Sequence, residues 1–131
     1  MSDNGMSSKL GMSFSIRRGR LLIHYATIKA IGEPDYIRFL INKRYKKIAI
    51  QSCEEIDSDH FRVPKHDGEQ DYRFEISSIQ FVSVLFRICN LDNDKTYVVY
   101  GTLHPKHRLV EFELDQAKEI RPEQFLDSEK L

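Results

Sequence analysis

Residues 13–51, SFSIRRGRLLIHYATIKAIGEPDYIRFLINKRYKKIAIQ, switch between two hydrophobic periods, and the order of the switches decides the fold. Residues 13–16 and 20–23 read as short strands either side of Arg17-Arg18-Gly19, where glycine supplies a permissive turn position. Residues 25–31 make two helical turns and stop at Gly32-Glu33-Pro34, a left-handed cap followed by a residue that cannot continue a helix. Residues 36–41 then alternate, with Ile37, Phe39 and Ile41 on one face and Arg38 on the other. Residues 46–51 turn Ile48 and Ile50 inward and Lys47 outward, and residues 42–45 join the two strands.

The second half repeats this order. Residues 72–76 read as a strand, Ser77 as an N-cap, and residues 78–88 as a helix that Asn90 ends. Residues 96–100 and 108–114 are strands around the turn 103–107, with Val110, Phe112 and Leu114 inward and Glu111 and Glu113 outward. An acidic loop over 53–60 separates the halves, and residues 61–63 match the opening strand 13–16. Two copies are too few for a solenoid, which needs about three. Each copy is apolar on one sheet face only, so the pattern predicts a closed pseudo-dimer; the plain alternative is an ordinary α+β domain with a coincidental echo. The second helix, with Ile79, Phe81, Val82, Val84, Leu85, Phe86 and Ile88, leaves almost no polar stripe and is expected to be covered on most sides.

The division expected is a flexible N-terminal tail over 1–12, a single domain over 13–115 made of copies 13–53 and 61–115, and a C-terminal tail or short helix over 116–131. Pro122 would open that helix, with Phe125 and Leu126 as its apolar anchors. At 131 residues, 40% hydrophobic and 31% charged, the chain has the length and composition of one globular domain. Its densest apolar run, 79–88, is broken by Gln80, Ser83 and Arg87 and is too short to span a bilayer. The first twelve residues lack the basic-then-apolar order of a secretory signal. Cys53 and Cys89 have no Cys-x-x-Cys spacing, so a reducing cytoplasm is the expected setting, with both thiols structural.

A formal net charge of zero hides an asymmetry. Residues 1–50 carry ten Lys and Arg against three Asp and Glu, a net +7, and the remainder carries −7. Blocks of this kind mark an interaction face, or else two halves that complement each other.

The run Gly19-Arg20-Leu21-Leu22-Ile23, a short helix closing on Ala30-Ile31-Gly32, a Glu-Pro-Asp turn, then Tyr36–Ile41 as a strand and Lys47-Ile48-Ala49-Ile50, resembles the AbrB-like swapped-hairpin family of transition-state regulators and addiction-module antitoxins. The resemblance covers residues 14–51 closely and 61–115 in outline. It implies an α+β, β-rich fold in which two strand-helix-strand-strand copies close a small swapped-hairpin barrel, here as a tandem single chain. It also implies a DNA-binding transcriptional regulator, in which Arg20 matches the family's arginine after glycine and Lys29 one of its two adjacent basic helix residues. The other basic position is Ile28, the usual proline is His24, and the second-copy equivalents are Arg73 and Ser77.

The candidate DNA-binding residues are therefore Arg17, Arg18, Arg20, Lys29 and Arg38, extended by Lys43, Arg44, Lys46 and Lys47 around Tyr45 on the next hairpin tip. Guanidinium forks hold phosphate oxygens bidentately, and a cluster of bases gives a salt-sensitive footprint. The bland reading of each group is a solvated turn. An alternative of another class is a protein-binding module, antitoxin-like or inhibitory. Its Glu111, Glu113, Asp115 and Glu119 would imitate a phosphate backbone toward a basic protein; against that stands solvated charge that keeps a sheet edge from aggregating. Homo-oligomerisation fits either reading. His60 and His66 around Asp67, and His104 and His107, lack the convergent third and fourth ligands of a zinc site and read as loop residues. No glycine-rich phosphate loop and no nucleophile-base pair is legible, so neither an enzyme nor a cofactor is expected.

Overall fold

Period-two alternation favours strands, and the computed structural model, which describes residues 9–54, 60–64 and 73–120, gathers nine of them into one curled sheet with two helices. In chain order these are β1 (Gly11–Ser15), β2 (Arg20–His24), α1 (Tyr25–Ala30), β3 (Tyr36–Asn42), β4 (Lys47–Cys53), β5 (His60–Arg62), β6 (Arg73–Ser77), α2 (Ile79–Cys89), β7 (Thr96–His104), β8 (Leu109–Glu113) and β9 (Lys118–Ile120). Single 3-10 turns at Pro105–His107 and Leu114–Gln116 flank β8. The result is a small, β-rich α+β fold.

Neighbouring strands run β5-β3-β4-β8-β7-β1-β2-β6, all antiparallel, with β9 beside β7. The β3–β4 hairpin of the first half is thus held between β5 and β8 of the second, and the β7–β8 hairpin between β4 and β1 of the first. Strands β2 and β6 join the halves again, Leu22 opposite Glu75. β7 changes partners along its length: residues 96–100 lie opposite β1, and residues 101–104 opposite β8. Gly101 marks the change, because a Cβ there would lie 2.6 Å from the Glu111 carbonyl oxygen and 2.7 Å from the Val110 side chain. Past β8, the Leu114–Gln116 turn consumes three residues, and the chain resumes on β7 as β9 with Val98 opposite Lys118.

The inward residues of this sheet form one core. Met12, Phe14, Leu21, Ile23, Ile37, Ile48, Ile50, Val110 and Phe112 are all buried, joined by Ile28 and Ile31 from the α1 side and Val82, Leu85 and Phe86 from α2. Phe14 packs edge-on to Phe86 and face-on to Tyr97, their ring centres 5.7 and 6.2 Å apart. The two helices are held differently. In α2, Ser78 Oγ accepts the Phe81 N–H at 3.2 Å, and left-handed Asn90 closes the far end. In α1 no side chain caps the start; buried Thr27 instead donates to the Gly11 carbonyl at 3.0 Å, and Gly32, at φ 94, ends the helix.

Several boundaries differ from the sequence reading, each for a local reason. β1 begins at Gly11, so buried Met12 belongs to the sheet and not to a tail. Ser78 caps α2 in place of Ser77, which pairs with Arg20 inside β6 and donates to Glu75. Lys46 and Arg108 are left-handed, at φ 55 and 52, so β4 and β8 start one residue later than alternation suggests. β7 reaches His104, and residues 118–120, placed in the C-terminal tail by sequence, form β9. Nor is α2 covered on most sides: it buries Val82, Leu85 and Phe86, while Ile79 is 52% exposed and Gln80 and Arg87 face solvent. One helix against one sheet has a single side to bury. Tyr72, His66, Asp67 and most of the acidic loop, with the anchors Phe125 and Leu126, lie outside the described residues.

Candidate nucleic-acid interface

A tight turn over residues 16–19, closed by the Gly19 N–H on the Ile16 carbonyl at 3.1 Å, exposes Arg17 and Arg18. The Gly19 carbonyl in turn accepts the Ser78 N–H at 2.8 Å, which ties this turn to the start of α2. Arg17 and Arg18 line a shallow concavity of about 480 Å³ with Asp94, Lys95, Thr96 and Glu119. Arg20 points from β2 across to β6, its Nε 3.3 Å from Glu75 Oε2. Lys29 is exposed on α1, beyond the other end of β2 and so roughly 13 Å further along the strand. The bases of the first hairpin and Lys29 therefore do not form one patch.

The hairpin tip over residues 43–46 is a second basic site. Asn42 Oδ1 accepts the Tyr45 N–H at 3.1 Å and shapes the turn, and the Arg44 guanidinium lies 5.4 Å from the Tyr45 ring centre. Lys43 and Arg44 are exposed. Lys46 and Lys47 are already engaged, Lys46 Nζ 3.9 Å from Asp115 and Lys47 Nζ 2.8 Å from Glu111. Arg38, half-buried on the outer face of β3, donates through Nε to Gln51 Oε1 at 2.9 Å, and Gln51 donates to the His107 carbonyl.

Two acids of the alternative surface, Glu111 and Asp115, hold bases of this tip. Glu111 takes Lys47 on one oxygen and His104 on the other, both at 2.8 Å; Asp115 takes Lys46; Glu119 takes Lys95 at 3.4 Å. Only Glu113, exposed and opposite Lys47 in register, forms no ion pair with another described residue. The hydrogen bond from Lys47 holds the Glu111 carboxyl below the usual carboxylate range, with His104 adding to it, and the same bond pushes Lys47 up. Burial, then Asp115, pushes the Cys89 thiol up, and Cys53 and Cys89 are not joined in a disulfide.

The three cross-links between charge blocks, Arg20 to Glu75, Lys46 to Asp115 and Lys47 to Glu111, all join the first half to the second. Part of the +7 and −7 asymmetry is therefore spent inside the molecule. Arg17, Arg18, Lys29, Lys43 and Arg44 form no ion pair with another described residue. The sequence reading passed over Lys106 and Arg108, exposed on the turn between β7 and β8. Their signal was the repeat itself, which aligns that turn with residues 43–46. Among the described residues no group of three or more His, Cys, Asp or Glu converges, and no helix is long and apolar enough to cross a membrane. Comparison with family models, with curated proteins and with solved structures returns no match.

Proposed function

We propose that this chain is a DNA-binding transcriptional regulator, built as two fused strand-helix-strand-strand copies that close a swapped-hairpin, AbrB-like barrel. The strand order supports the duplication. Exchanging β1–β4 with β5–β8 turns each observed neighbour pair along the main path into another observed pair, except that β1–β2 has no β5–β6 counterpart among the described pairings. A finer correspondence lies at the hairpin tips. The Lys46 carbonyl accepts the Leu114 N–H at 2.9 Å and the Arg108 carbonyl accepts the Ser52 N–H at 3.0 Å; from 46 to 108 and from 52 to 114 is the same interval of 62 residues.

One observation supports the choice of ligand: among the described residues, six of the nine candidate bases form no ion pair, Arg38 alone of them being hydrogen-bonded to Gln51, against one of the four candidate acids. Arg17, Arg18, Lys43 and Arg44 sit on turns and Lys29 on α1, where guanidinium and ammonium groups reach phosphate oxygens without unmaking the sheet, and binding draws free energy from the counterions released. The protein-binding alternative requires Glu111, Asp115 and Glu119 to abandon partners at 2.8, 3.9 and 3.4 Å. A cytoplasmic setting accords with two cysteines that form no disulfide. The test is a titration of labelled duplex DNA at several salt concentrations. The logarithm of affinity is expected to fall with the logarithm of salt by about 0.9 per phosphate contacted. Arg17→Glu with Arg18→Glu should flatten that slope, and salt-insensitive or absent duplex binding by the unaltered chain refutes the reading.

A further inference from the structure

The turn between β7 and β8 has a backbone twin. Arg108 closes it in the left-handed conformation at φ 52, as Lys46 closes the turn between β3 and β4 at φ 55. Each of these residues has its carbonyl pinned by an N–H from the opposite half, so both tips are held in place by the same device. The residues they present are of one kind: Lys43 and Arg44 on the first tip, Lys106 and Arg108 on the second, all exposed. Neither Lys106 nor Arg108 forms an ion pair with another described residue.

The second tip also brings Lys29 back into use. A Cβ on Gly32 would lie 3.1 Å from the nearer terminal nitrogen of the Arg108 guanidinium, so this group lies against the turn that ends α1, three residues past Lys29. The acid nearest in sequence, Glu33, accepts a hydrogen bond from the Tyr25 hydroxyl. A base from the second half thus stands beside the helix of the first, at the end of β2 remote from Arg17 and Arg18.

We infer that residues 105–108, through Lys106 and Arg108 with Lys29 beside them, form a second phosphate-binding tip matched to the tip over 43–46, so that a single chain grips a duplex at two points related by its internal duplication. The inference rests on the DNA-binding reading above. The β4–β8 ladder runs from Lys47 opposite Glu113 to Gln51 opposite Leu109, roughly 13 Å, and the tips project beyond its opposite ends. A duplex carries a charge about every 1.7 Å of its axis, so it offers phosphates at whatever separation the ladder imposes.

The experiment measures anisotropy of a fluorescently labelled mixed-sequence duplex across a salt series, with four full-length proteins: unaltered, Lys43→Glu with Arg44→Glu, Lys106→Glu with Arg108→Glu, and all four changes together. Each pair is expected to lower the salt slope by about 1.8, two contacts at about 0.9 each, and the combined variant by about twice that. Lys106→Glu with Arg108→Asn, which suits a left-handed backbone, should behave as the Glu pair does, and Arg108→Lys should keep the slope. Unchanged thermal unfolding midpoints show that the barrel is intact. If the unaltered protein binds with a salt slope and the 106/108 variants match it in slope and affinity, the second tip is refuted while the DNA reading stands. If the unaltered protein shows no salt-dependent binding, both fall.

Discussion

The two halves share a strand plan and divide the charge. The first half holds its helix with a buried hydroxyl on a β1 carbonyl and a left-handed glycine; the second holds a helix nearly twice as long with a serine cap and a left-handed asparagine. The first half places Arg20, Lys46 and Lys47 where the two meet, and the second answers with Glu75, Asp115 and Glu111. Two of the four ladders that join the halves, β2–β6 and β4–β8, carry such a pair. Opposite charges across a ladder favour one register over its neighbours, because a slip would leave bases facing apolar positions. The difference between the halves teaches that a charge block read along the chain is first a statement about the other block.

If the halves share one core, damage to equivalent positions should be equally global. Phe112 and Ile50, both fully buried and 62 residues apart, supply the largest test. Phe112→Ala is expected to cost about 3–5 kcal/mol and Ile50→Ala about 2–5 kcal/mol in urea unfolding. Both should lower the midpoint of a single transition. A variant that melts one half ahead of the other would break the comparison. The next effect is smaller and one-sided: Ser78→Ala removes the α2 cap and should cost about 1 kcal/mol, whereas His24→Ala at the same place before α1 removes no capping bond.

The strand plan was legible because period-two alternation survives in β2, β6, β8 and the first half of β7, although β1 is buried throughout, and Gly32 and Asn90 are helix stops of a kind that needs no tertiary information. The α2 cap was misplaced by one because Ser77 and Ser78 are both competent, and only the β6 pairing with Arg20 removes Ser77 from contention. The candidate site was less legible. Nothing local distinguishes Lys43 and Arg44, which form no ion pair with another described residue, from Lys46 and Lys47, which do; that is settled by Asp115 and Glu111, more than sixty residues away. Arg108 was hidden for the same reason. Its significance lies in sharing a backbone conformation with Lys46 and resting on Gly32, and neither relation is written in residues 105–108 alone.

The smallest predicted effect sharpens the contrast between spent and available charge. Glu111 binds Lys47 with its side chain 25% exposed, and the bond lowers its folded carboxyl below the ordinary value of about 4.3. The sign follows from linkage. A depressed carboxyl stabilises the fold fully above the unfolded value and loses that contribution as pH falls through the folded one. Glu111→Gln should therefore lower the unfolding midpoint slightly at neutral pH, less than Ser78→Ala does, and should approach the unaltered protein in acid. Swapping the pair, Lys47→Glu with Glu111→Lys, should recover part of the loss if the contact is electrostatic, although His104 then faces a base. Arg17→Glu with Arg18→Glu, on a turn with no described ion pair, should leave the midpoint unchanged and alter only the salt dependence of duplex binding. Should the turn arginines shift stability as Glu111 does, or Glu111 shift binding as they do, the division of the bases into structural and available would be wrong, and with it the reason for preferring a phosphate ligand to a basic protein.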